Sequence, residues 1–118
     1  LSSQVVDING VQFLAAQVEG DNKSMMQTLD TVRSQLQGDA IVVLAVVDGG
    51  KVALVAGASK GLTNRLSASE LMQAIAPVVG AKGGGRPDLA RAGGGDRADA
   101  IVEALGAARS WAEAKLSA

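Results

Sequence analysis

Ala40 to Val47 reads Ala-Ile-Val-Val-Leu-Ala-Val-Val, eight apolar residues in unbroken succession. A run of that length with no polar alternation, mostly β-branched, suits a strand covered on both faces. It should be the centre of a sheet. Asp48-Gly49-Gly50 then turns the chain, and Lys51 to Ala56 returns as a partner strand, which makes one hairpin. A second hairpin is expected upstream, where Val5–Ile8 and Val11–Val18 are joined by Asn9-Gly10, two residues that tolerate positive φ.

Helices are expected between and after these strands. Asp21 or Asn22 can cap a segment in which Met25, Met26, Leu29, Val32 and Leu36 recur at helical spacing, and Gly38 supplies the stop. The paired methionines suit core filling, since flexible thioethers pack irregular gaps. Ser67-Ala68-Ser69-Glu70 is a capping box that starts a second helix, with Leu71, Ile75 and Val79 as its stripe and Pro77 kinking or ending it. Asp96 can cap a last helix, whose apolar face runs through Ile101, Val102, Leu105, Ala108, Ala112 and Leu116. Trp111 falls on the edge of that stripe, as a packing anchor or a base-stacking ring. The expected fold class is a single two-layer α/β domain over residues 1–118, a mixed sheet of about four to five strands built from two hairpins and packed with three helices.

Composition narrows the chemistry. With no cysteine and no histidine, the chain builds no thiolate or imidazole metal site, no Ser-His-Asp triad and no Cys-His pair. The longest apolar run is far short of the roughly 20 residues that span a bilayer, so a cytoplasmic location without membrane contact is the default expectation. Net charge is −1, unevenly spread: residues 1–79 carry five basic and seven acidic groups, residues 80–97 four and two, and residues 98–118 two and three.

The locally basic part is also the glycine-rich part. Between Gly80 and Gly95 lie seven of the fifteen glycines, interleaved with Lys82, Arg86 and Arg91. Bare backbone beside cations suits an anionic surface, although two net charges are few for an autonomous nucleic-acid binder. A flexible linker is the plain alternative, against which stand the stiff Arg86-Pro87 pair and the apolar Leu89. Leu89 to Ala92 could add a short strand between the glycine clusters. No G-x-x-x-x-G-K-[ST] occurs, and no G-x-G-x-x-G stands between a strand and a helix.

Gly80-Ala81-Lys82-Gly83-Gly84-Gly85-Arg86-Pro87-Asp88-Leu89-Ala90-Arg91-Ala92-Gly93-Gly94 resembles the Gly-Gly-Lys-Gly-Gly-Gly-Arg-Pro-Asp-Met-Ala-Gln-Ala-Gly-Gly signature near the C-terminus of alanyl-tRNA synthetases. The Asn9-Gly10 hairpin, the Ile41–Val47 run with Asp48-Gly49-Gly50-Lys51-Val52, and the Ser110-Trp111 to Leu116 helix are similar in layout. The resemblance implies a C-terminal, C-Ala-like domain, related to the accessory domain of DHH-type phosphoesterases. It implies docking on the elbow of tRNA(Ala), helping to couple aminoacylation with editing. No catalytic residue, metal ligand or cofactor is then expected in this chain. Alanine-tRNA ligase chemistry, with its ATP, magnesium and zinc, would belong to upstream domains absent here.

Lys82, Gly83, Gly84, Gly85, Arg86, Arg91, Gly93 and Gly94 are the candidate RNA-binding residues, with Lys60 a further contact. Lys82 and Arg86 are expected on phosphate, and Arg86 has an alternative role as a hydrogen bonder holding the glycine turns to a helix C-terminus. Ala81 stands where the signature has glycine, and Arg91 where glutamine is common, exchanging an amide for a charge able to reach phosphate. Two other functions stay open. One is a module that dimerises a synthetase or docks on its upstream domains. The other is a substrate-binding accessory domain of a DHH-type phosphoesterase or free-standing editing protein, although the histidine that commonly follows the glycines in the phosphoesterases is Arg86 here.

Overall fold

Asn9 and Gly10 both take positive φ, 52° and 86°, and close a hairpin between β1 (Val6–Ile8) and β2 (Val11–Gln17). These features come from a computed structural model that describes residues 5–35, 38–59, 61 and 66–116. Asn9 also acts over a long range, because its side-chain amide donates to the Leu116 carbonyl at 2.9 Å and so ties the hairpin to the end of the last helix.

From β2 the chain passes through α1 (Asn22–Gln35) and returns as β3 (Ala40–Asp48), parallel to β2, with Phe13 beside Ile41 and Ala16 beside Leu44. The Asp21 carboxylate starts α1 by accepting from the Ser24 amide at 2.8 Å. That bond holds the Asp21 pKa below its ordinary value. β4 (Lys51–Ala58) pairs antiparallel with β3 along its whole length. α2 (Ala68–Ile75) begins at Ser67, whose hydroxyl accepts from the Glu70 amide. Pro77 lies in the first turn of a 3₁₀ segment, Ala76–Val79, where a missing backbone donor costs least, and Gly80 ends the segment in the left-handed region at φ 74°. The expected early end of the second helix is present.

The stretch from Gly80 to Gly95 is not a loop. It forms two strands, β5 (Lys82–Gly85) and β6 (Leu89–Gly95), which turn at Arg86-Pro87-Asp88. The strand expected at Leu89–Ala92 is there, and the flanking glycines join it. Among the described residues the sheet therefore has six strands, ordered β1-β2-β3-β4-β6-β5 and mixed through one parallel pair, β2–β3. A 3₁₀ turn at Ala98–Ala100 leads into α3 (Ile101–Leu116).

Helices lie on both faces of this sheet. The even residues of β3, Val42, Leu44 and Val46, share a cluster with Met25, Leu29 and Val32 of α1. The odd ones, Ile41, Val43 and Ala45, share another with Leu71 and Ile75 of α2 and Ile101, Ala104 and Ala108 of α3. Both clusters are needed because β3 is apolar on both faces. The two layers expected from the sequence thus gain a third element on the far side, α1, carried there by the β2–α1–β3 crossover.

Two residues near or in α3 differ from expectation. Val102, assigned to the buried stripe, is 79% exposed, and the buried face is Ile101, Ala104, Ala108, Ala112 and Leu116. Small alanines let α3 approach its neighbours closely, so the helix turns its alanine ridge inward. Asp96 caps no helix directly, because the 3₁₀ turn intervenes and its carboxylate lies beside Gly80. Trp111 is half-buried against the core, with the Lys115 ammonium 5.6 Å from its ring centroid. Among the described residues no helix is long and apolar enough to cross a membrane.

Candidate nucleic-acid interface

The glycine hairpin is the outermost part of the sheet on its β5 side, and only one of its faces is covered. Ala81, Ala90 and Ala92 are buried in the cluster that holds α2 and α3. On the other face α1 covers β2, β3 and β4, but of β6 it reaches only Leu89. Beyond Leu89 that face is open.

Register decides which side chains stand there. Lys82 lies beside Gly93, and Gly84 beside Arg91. Alternation puts Lys82, Gly84, Arg91 and Gly93 on one face, with the two cations on one diagonal and the two glycines on the other. Together with Asn22 they line an open depression of about 610 Å³. Lys82 and Arg91 are both exposed, and neither forms an ion pair among the described residues. Uncommitted cations on a concave face can take an anion without first giving up a partner.

The N-terminus of α1 borders the depression through Asn22. Its amides are already used: Asn22 donates to the Asp48 carboxylate at 3.3 Å and Ser24 to Asp21 at 2.8 Å. Those two carboxylates repel an anion from the helix end and leave Lys82 and Arg91 as its partners. Residue spacing does not reveal Asn22, which only the β2–α1–β3 crossover brings beside β5 and β6, nor Asp48, which is tied to this border through the Asn22 amide.

The remaining candidates separate. Arg86 follows Gly85 at the turn, about 13 Å along the strand from Lys82 at ordinary strand rise. Its guanidinium meets Asp88 at 3.8 Å, and its side chain is 74% exposed. Among the described residues the side chain bonds no helix end, and it does not line the depression. The turn itself is fixed by main chain: Arg86 and Leu89 exchange both hydrogen bonds, Pro87 accepts from the Ala68 amide at the start of α2, and Asp88 accepts from Ala58. The structure therefore groups Lys82 with Arg91, where the sequence paired it with Arg86. Lys60 lies outside the described residues.

Different glycines meet different demands. A Cβ at Gly83 would overlap the Arg91 carbonyl and lie 2.5 Å from the Ala92 Cα, and one at Gly85 would lie 2.7 Å from the Ala90 Cα. Close approach of β5 to β6 requires both to be bare. Gly94 has φ 72° at the point where β6 carries one residue more than β4, a bulge between the pairs Val52–Gly95 and Leu54–Ala92. Gly84 and Gly93 have neither constraint: φ is not left-handed, and an added Cβ meets nothing within 4 Å.

A family model described as the DHHA1 domain matches residues 10–114. Among solved structures, the chain is similar to the C-Ala domain from Aquifex aeolicus alanyl-tRNA synthetase, with a TM-score of 0.78 and 24% sequence identity over 97% of this chain and 98% of that one. It is also similar to the DHH domain of a member of the s1p family of ribosomal proteins, with a TM-score of 0.57 and 16% identity over 89% of this chain and 27% of that one. At these identities the likeness is one of fold, and it agrees with the architecture expected from the glycine signature.

Proposed function

We propose that this chain, which belongs to the DHHA1 domain family, is a tRNA-docking domain that binds through the open face of its β5–β6 hairpin and carries no reaction centre of its own. The observation that supports this most directly is the pair Lys82 and Arg91, exposed and without ion partners among the described residues, on either side of a depression left uncovered by α1. Two cations suit phosphate contacts. The absence of aromatic side chains on this face suits recognition of a folded RNA by shape, phosphate and ribose more than by splayed bases. The resemblance of the glycine signature to that of alanyl-tRNA synthetases favours the elbow of tRNA(Ala) as the docking point, and the fold is shared with a synthetase C-Ala domain. Aminoacylation and editing would then be carried by other segments of the same polypeptide, which this domain would help to bring to one tRNA.

The test is a fluorescence titration of tRNA at several salt concentrations with the double variant Lys82→Ala/Arg91→Ala. Each phosphate contact contributes roughly 0.7 to 0.9 to the slope of log affinity against log salt, so the slope should fall by about 1.5 and the affinity with it. An unchanged slope would remove both residues from the interface. Docking on a second copy or on upstream domains is the alternative, favoured by an apolar groove of about 340 Å³ where Phe13, Ala15, Leu105 and the exposed Val102 meet. Sedimentation equilibrium over a wide concentration range separates the two, since self-association raises the apparent mass with concentration.

A further inference from the structure

Gly84 and Gly93 are costly to the fold. Both are strand residues, where glycine orders at a high entropic cost and contributes no side-chain packing, and a β-branched residue would pair better. Neighbouring glycines have structural reasons. Gly83 and Gly85 admit the β6 backbone, Gly80 and Gly94 take left-handed φ, and a Cβ at Gly95 would lie 2.8 Å from the Val79 carbonyl. Gly84 has no such reason, and Gly93, one of the two residues of the β6 bulge, needs neither a left-handed φ nor a bare Cβ; both stand on the same uncovered face. A strand glycine without a packing cause marks a bulge or a place where a ligand or another backbone comes close, and at Gly84, regularly paired with Arg91, there is no bulge.

Cross-strand geometry gives that place a shape. Lys82 faces Gly93 and Gly84 faces Arg91, so the bare diagonal runs between the two cations. Residues directly opposite are about 5 Å apart and diagonal ones about 7–8 Å. A ridge resting on Gly84 and Gly93 has one cation on each flank. Asp21 and Asp48 lie toward the end of α1 and bar a track in that direction. A base would find no aromatic platform here, because Trp111 and Phe13 both belong to the core on the opposite face.

We propose that the main-chain strip bared by Gly84 and Gly93 is where the sugar–phosphate backbone of a tRNA strand lies directly against this domain, its phosphates reaching Lys82 on one side and Arg91 on the other. The assignment rests on the tRNA-docking function above and adds the contact that function requires. Side chains at 84 and 93 hold the strand off the sheet and take both cations out of reach together.

Gly84→Val and Gly93→Val, each in the full chain, test it by two readouts with opposite outcomes. The thermal midpoint should stay the same or rise, because valine is the better strand residue and its Cβ meets nothing at either position. Affinity for a tRNA transcript should fall tenfold or more, with Gly84→Ala intermediate. Wild-type affinity in both valine variants overturns the strip and leaves the docking function standing. A fall in midpoint that matches the fall in affinity overturns it as well, by showing a structural demand for glycine. If the unaltered chain binds no tRNA, the strip and the docking function fall together.

Discussion

Gly83→Val is expected to abolish the β5–β6 hairpin, with a loss of about 3 kcal/mol or more and a correspondingly lower denaturation midpoint. A Cβ at position 83 overlaps the Arg91 carbonyl and comes within 2.5 Å of the Ala92 Cα. Both obstacles are main chain of the neighbouring strand, with no rotamer through which to yield. Overpacking a core ordinarily costs about 1–3 kcal/mol, and obstruction by backbone belongs at or above the top of that range. The total stability of a domain is only about 5–15 kcal/mol, so the loss is a large share of it. Ala90 and Ala92 would lose their cover, and the face bearing Lys82 and Arg91 would lose its register. Urea denaturation followed by circular dichroism checks this. A midpoint equal to that of the unaltered chain would mean that β5 does not pack on β6 at the observed register. The neighbouring Gly84→Val should do the reverse, sparing the fold and losing the ligand, because alternation turns residue 84 toward open space.

Leu54→Ala is the second large effect, expected to cost about 3–5 kcal/mol. Leu54 is fully buried in β4, with Ala45 beside it in β3 and Ala92 in β6. The helical surface over that face also presents alanines, Ala68 from α2 and Ala104, Ala108 and Ala112 from α3. The strand neighbours Ala45 and Ala92 are too small to swing in and fill a vacated volume, so the cavity term adds to the lost transfer term. The denaturant midpoint should drop while the m-value stays constant, since the surface exposed on unfolding hardly changes. A loss below about 1 kcal/mol would show that α3 collapses onto the sheet. Loosening of the β4–β6 ladder should also weaken the proposed tRNA binding, although Leu54 lies in the covered cluster.

Much of this fold could be read from local rules. Asn9-Gly10 specifies a turn whose φ values only such residues adopt readily, and Asp48-Gly49-Gly50 specifies another. Ser67, Pro77 and Gly80 bound a short helix because they act on the first donors, an interior donor and the left-handed stop. The periodicity of α3 admits two adjacent stripes, and Val102 marks the wrong one because the close contact is made mainly by alanines.

Residue pattern is enough for the α/β class, for a doubly covered central strand and for a glycine-rich, cationic segment that resembles the C-terminal domain of alanyl-tRNA synthetases. Those features depend on backbone conformation and hydrophobic spacing, which act over a few residues. Folding in three dimensions makes the segment a hairpin at the sheet edge, puts Lys82 on one face with Arg91, and brings Asn22 and Asp48 to its border. It also separates Gly83, bare for the fold, from Gly84, bare toward solvent. Register is the cause: a strand shows alternate residues to opposite sides, and which side is open depends on where a helix some sixty residues earlier comes to rest.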